Sequence, residues 1–178
     1  MPLLDGRNDI LWRYKVAMLK HCVFLTFVLA GASAAGAGDW PHWRGPHFNG
    51  STDERNLPSV WSQSEGIAWS VELAGCSAAT PIIWKDRVFL SAVDAGRDML
   101  LAMCFDRLSG KLLWQHDIAK DISRDRRSTY AASSPVTDGK IAVFFYGNGE
   151  LVCFDTNGSR QWRRNLQDEY GPFAFLYY

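Results

Sequence analysis

The chain has 178 residues, 47% of them hydrophobic and 21% charged, with 19 Lys plus Arg against 19 Asp plus Glu. That apolar fraction supports a packed core and excludes a disordered chain. The balanced charge offers no electrostatic footprint for nucleic acid or an anionic membrane, so neither is expected as a partner. Eight Trp in so short a chain stand out, and their first use is packing.

Residues 1–17 carry Asp5 and Asp9 ahead of a segment with the marks of an export signal. They point to a start assigned too far upstream, with Met18 as the first residue made. Residues 18–37 form the expected signal peptide: Met18-Leu19-Lys20-His21 is a short basic start, and Cys22 to Ala32 is an apolar run. Small residues follow, with Ala32-Ser33-Ala34 or Ala35-Gly36-Ala37 as the cleavage site. The alternative is an uncleaved membrane anchor. The apolar run is short for a bilayer and no second one exists, so an exported chain without a membrane span after cleavage is expected, periplasmic or extracellular. Cleavage leaves Cys76, Cys104 and Cys153. An odd count is not a disulfide framework, and no spacing of His or Cys suits a metal.

Residues 38–66 are rich in Trp, Pro and Gly and predict an irregular packed segment. His42 and His47 lie in it without a third ligand and are expected to pack. From residue 67 short apolar runs alternate with turn signals. Ile67–Leu73 opens the strand-like region. Ala79–Trp84, Arg87–Val93, Leu100–Phe105 and Lys111–His116 form one cycle of four strands, with His116 at the surface end. Asp117 to Thr129 is a polar connector. A second cycle follows with Ser133–Val136, Lys140–Tyr146, Glu150–Phe154 and Ser159–Asn165, and residues 166–178 form a stub. Thr137-Asp138-Gly139 and Gly147-Asn148-Gly149 predict tight hairpins of type I′, which need positive φ at both central residues.

The two cycles share a motif. Cys104-Phe105-Asp106, Gly110 and Trp114 return as Cys153-Phe154-Asp155, Gly158 and Trp162, the Asp residues 49 positions apart and the Trp residues 48. Asp caps a turn through backbone N–H groups, and Gly supplies a left-handed residue. The Trp on the outer strand can cover the joint to the next unit, its N–H reaching a carbonyl. Cys104 and Cys153 fit small buried hydrophobes. Four antiparallel strands per unit of about 50 residues describe an all-β propeller blade, with two blades at about 78–116 and 131–165 and an incomplete ring.

The motif resembles the tryptophan-docking pattern A-x-D-x-x-x-G-x-x-x-W of pyrroloquinoline-quinone-like (PQQ-like) β-propeller repeats, with Cys104 in place of Ala and the second copy one residue short before Gly158. Trp69 would close the outer strand of an earlier, incomplete blade. Asp39-Trp40-Pro41-His42-Trp43-Arg44-Gly45-Pro46 is similar to the opening of exported members. The resemblance implies a larger propeller of roughly seven or eight blades, and hence that the chain is an N-terminal fragment; assembly of several copies into a ring is the rival.

Three functions fit such a fold. The first is an exported, non-catalytic scaffold binding a protein or glycan in the cell envelope, as similar repeats do in outer-membrane β-barrel assembly. The second is a fragment of a quinone-dependent dehydrogenase. The resemblance implies PQQ and calcium only for a complete relative; this chain lacks the adjacent Cys pair and calcium cluster that such chemistry uses, so no catalytic, cofactor or metal residue is expected. The third is a sugar-binding or carbohydrate-active propeller, with Trp84 or Tyr146 as a stacking platform. The binding candidates are Arg126, Arg127 and Tyr130, on the blade-to-blade connector where propeller loops meet partners.

Overall fold

The computed structural model describes residues 38–173 apart from 56, 63–64 and 123–128. The expected signal at 18–37 and the residues before it lie outside the described residues. Two four-stranded antiparallel sheets follow one another in chain order. The first consists of β1 (Ile82–Trp84), β2 (Arg87–Asp94), β3 (Met99–Asp106) and β4 (Leu112–Lys120). The second consists of β5 (Val136–Thr137), β6 (Ile141–Phe145), β7 (Glu150–Asp155) and β8 (Arg160–Asn165). Each is a propeller blade, and together they leave the ring unclosed. Among the described residues, no helix is long and apolar enough to cross a membrane.

The blades differ in how their central strands are buried, and the sequence pattern shows why. β2 and β3 are buried at every interior position, as their unbroken apolar runs require of a strand covered on both faces. On one face Phe89, Val93, Leu100, Ala102 and Cys104 meet Ala142, Phe144, Val152 and Phe154 of the second blade. On the other, Val88, Leu90, Leu101, Met103 and Phe105 pack under Trp69 and Leu73 of the N-terminal segment. β6 instead alternates buried and half-buried residues, the pattern of a strand with one covered face.

Several expectations need correction. Ile67–Leu73 is not a strand: it lies along the first blade without a ladder of its own, held by contacts of Trp69 and Leu73. The Asp138-Gly139 and Asn148-Gly149 turns are not type I′, because positive φ occurs only at the glycines, +87° and +90°. The loop at 147–149 has three residues, closed by Tyr146 N–H on the Glu150 carbonyl. That length calls for a single left-handed residue at its end. Residues 166–170 form a short helix, α1 (Leu166–Tyr170). Asn165 caps it by accepting from the amides of Gln167 and Asp168.

Candidate functional site

The joint between blades is built by the repeated turn. In the first blade the Asp106 carboxylate accepts from the Ser109 amide and hydroxyl at 2.8 and 2.6 Å. Gly110 closes the loop at φ +70°. In the second, Asp155 accepts from the Asn157 and Ser159 amides, both at 2.9 Å, and Gly158 sits at φ +92°. The missing residue shortens the loop without moving its glycine from under the neighbouring indole. These bonds hold both carboxyls below the ordinary aspartate range: the Ser109 hydroxyl is the main cause at Asp106, and the Ser159 amide at Asp155.

Each turn receives a Trp from the preceding segment. Trp69 donates its indole N–H to the Arg107 carbonyl at 2.8 Å, and Trp114 donates to the equivalent Thr156 carbonyl at 3.2 Å. A methyl group at Gly110 would lie 2.6 Å from the Trp69 ring, and one at Gly158 would lie 2.7 Å from that of Trp114. Backbone and ring are in contact, so no side chain fits between them. Trp84 makes a third such contact, over Gly139. Trp162 is 40% exposed. Cys104 and Cys153 lie opposite Trp114 and Trp162 in the ladders, each beside a one-residue bulge. Both thiols are fully buried, and burial pushes that of Cys104 up to about 12 and that of Cys153 in the same direction.

His116 is not a surface residue. Its Nε2 lies 2.7 Å from the Gly158 carbonyl, and its ring stacks on Phe154 at 4.5 Å and 9°. A carbonyl only accepts, so Nε2 carries the proton. Tyr146 is fully buried and cannot serve as a sugar platform; burial raises its phenol above the ordinary range. The ring of Trp84 is half-buried and occupied by Gly139.

Of the binding candidates, Arg126 and Arg127 lie outside the described residues. Tyr130 is half-buried, packed against Gly147, with its amide bonded to the Ile122 carbonyl. His42 stacks on Phe48 at 3.9 Å, and His47 pairs with Asp53 at 3.0 Å. Two residues that the sequence did not single out, Arg160 and Arg163, flank the apolar floor of a cleft between the blades. Their only signal is the basic spacing in Arg160-Gln161-Trp162-Arg163-Arg164, which gives no hint of a shared cleft.

A family model described as outer membrane protein assembly factor BamB matches residues 9–171. No curated protein sequence matches the chain. Among solved structures, BamB from Moraxella catarrhalis is 23% identical with a TM-score of 0.42, over 55% of this chain and 26% of that one. A europium-containing methanol dehydrogenase is 20% identical with a TM-score of 0.36, over 47% of this chain and 14% of that one. The chain thus spans about a quarter of the first protein and a seventh of the second.

Proposed function

The chain belongs to the PQQ-like β-propeller family described as outer membrane protein assembly factor BamB, and from that membership we propose that it is an exported, non-catalytic scaffold binding a partner in the cell envelope. The family match over residues 9–171 is the observation that carries this reading. The family description favours a protein over a glycan as that partner. The indoles of Trp69, Trp84 and Trp114 support the non-catalytic part, because each is spent on a glycine of a neighbouring turn. One face of each of these three rings is covered by that glycine's backbone and closed to a quinone. We accordingly assign this chain no PQQ or calcium.

The test is fractionation of the tagged chain in its native host, with N-terminal sequencing and cross-linking. The expected product starts after residue 34 or 37, resides in the envelope and cross-links to a component of outer-membrane protein assembly. Depleting the protein should lower the amount of β-barrel protein in the outer membrane. An unprocessed chain in the cytoplasm would overturn the reading. Saturable binding of PQQ with calcium, followed by calorimetry, would replace it with the dehydrogenase reading.

A further inference from the structure

The sequence contains three Asn-Gly pairs, at 49–50, 148–149 and 157–158. Such a pair is chemically fragile, because glycine has no side chain to hinder its amide nitrogen when that nitrogen attacks the asparagine side chain. The attack turns the peptide that links the two residues, and the glycine has to move with it. How tightly each glycine is held therefore decides which pair can react.

Two of the pairs are locked. Gly158 is buried under the Trp114 ring. Its N–H is bonded to the Asp155 carbonyl at 3.0 Å, and its carbonyl accepts from His116 Nε2 at 2.7 Å. Gly149 is buried against Asn165 and Gln167. Its N–H is bonded to the Tyr146 carbonyl at 3.0 Å, and its carbonyl accepts from the Leu166 amide at 2.8 Å. Asn157 is itself exposed, so exposure of the asparagine alone does not separate the pairs.

The third pair is open. Asn49 and Gly50 are both exposed, and nothing lies within 4 Å of a β-carbon placed on Gly50. The Gly50 N–H is bonded to the Arg44 carbonyl at 2.7 Å, within a surface loop of the kind that opens at little cost. Asn49 Oδ1 accepts from the amide and from the hydroxyl of Ser51, at 2.9 and 2.7 Å. Those two donors face the oxygen on which negative charge builds when the side-chain carbonyl is attacked.

We propose that Asn49 is a site of spontaneous deamidation and that the blade turns protect Asn148 and Asn157 from it. The Gly50 amide gives its proton to hydroxide and attacks Asn49 Cγ. The new C–N bond closes a succinimide ring as the Cγ–Nδ2 bond breaks, and ammonia leaves with a proton taken from water, which restores the hydroxide. Water then opens the ring at either carbonyl, giving aspartate or isoaspartate at position 49. Nothing is oxidised or reduced, and water is the sole co-reactant. Either product adds a negative charge to the loop that carries the His47–Asp53 pair. The reaction does not depend on the envelope reading, since it needs neither a partner nor a compartment.

The test is incubation of the full chain at mildly alkaline pH, native and in urea, followed by peptide mapping with mass spectrometry and isoaspartate detection. In the native chain Asn49 should convert at least about tenfold faster than Asn148 or Asn157, because a surface loop opens more readily than a blade turn. In urea the three should convert at comparable rates, since all share the Asn-Gly sequence. Ser51 is exposed, so Ser51→Ala leaves the fold intact. It should slow Asn49 by about threefold, the effect of one hydrogen bond, and leave the other two unchanged. A stable native Asn49, native conversion of Asn148 or Asn157 at the same rate, the same ranking in urea, or an unchanged Ser51→Ala protein would each overturn the proposal. Any of these failures leaves the envelope reading untouched, and a cytoplasmic location leaves the deamidation untouched.

Discussion

Trp114 lies directly on Gly158, its ring 2.7 Å from where a β-carbon would stand, while its N–H reaches past the glycine to the Thr156 carbonyl. Trp69 and Gly110 repeat the relationship one blade earlier. Contact between backbone and ring thus fastens the N-terminal segment to the first blade and the first blade to the second, and with Trp84 on Gly139 it uses three of the eight tryptophans.

Gly158→Ala should therefore destabilise more than backbone strain alone. Gly171 provides the comparison, since it has nearly the same φ, +91°, but nothing within 4 Å of an added β-carbon. Gly171→Ala, at ψ 170°, should lose about 1–3 kcal/mol, all of it strain. Gly158→Ala should lose about 2–4 kcal/mol by urea unfolding, because the clash adds to the strain.

Trp114→Phe keeps an aromatic ring but removes the donor to Thr156. It should lose about 1 kcal/mol for the bond, whereas Trp114→Ala should lose about 3 kcal/mol. Denaturant midpoints at constant m-value would check both.

Glu150 is 6% exposed and its only cation partner among the described residues is Arg163. Arg163→Ala would leave a buried carboxylate unpaired, at a cost of about 2–3 kcal/mol. That is below the full value for a buried pair because the Arg163 side chain is 40% exposed. The Glu150→Gln/Arg163→Gln double variant should recover part of the loss, again read by urea unfolding.

Acid should weaken the fold through the turn aspartates. The carboxyls of Asp106, Asp138 and Asp155 are all depressed, at Asp138 mainly by the amides of Ile141 and Lys140. A depressed folded pKa adds stability above the unfolded value, near pH 3.9, and loses it as pH falls through the folded value. The melting temperature should be level down to about pH 5 and fall below about pH 4. Asp106→Asn should shrink that fall.

Thiol labelling should separate the cysteines. Cys76 is exposed, and Cys104 and Cys153 are buried with raised pKa values. In a Cys22→Ser background, one thiol should react in the native protein at pH 8 and two more only after unfolding, as counted by mass spectrometry.

The blade strands were legible because their chemistry is local. Asp-Gly and Asn-Gly end the runs, and the unbroken apolar stretch of β2 and β3 marks strands covered on both faces. What was missed depends on distant partners. His116 looked like a strand end at the surface, yet its partner is Gly158, 42 positions away. Ile67–Leu73 had the composition of a strand but found ring contacts in place of a ladder. The five residues of α1 are too few for helical periodicity to show, although Asn165, Asp168 and Glu169 mark its start. Arg160 and Arg163 share a cleft only because a bulge changes the facing of the residues between them. No spacing rule in the sequence announces a bulge.

The most direct test of the blade joint is a double-mutant cycle between Trp114 and Gly158. If the ring-on-backbone contact holds the blades together, Gly158→Ala should be severe in the unaltered protein. In the Trp114→Ala background it should fall to the strain-only loss of Gly171→Ala, a coupling of about 1–3 kcal/mol. Equal losses from Gly158→Ala in both backgrounds would contradict the account.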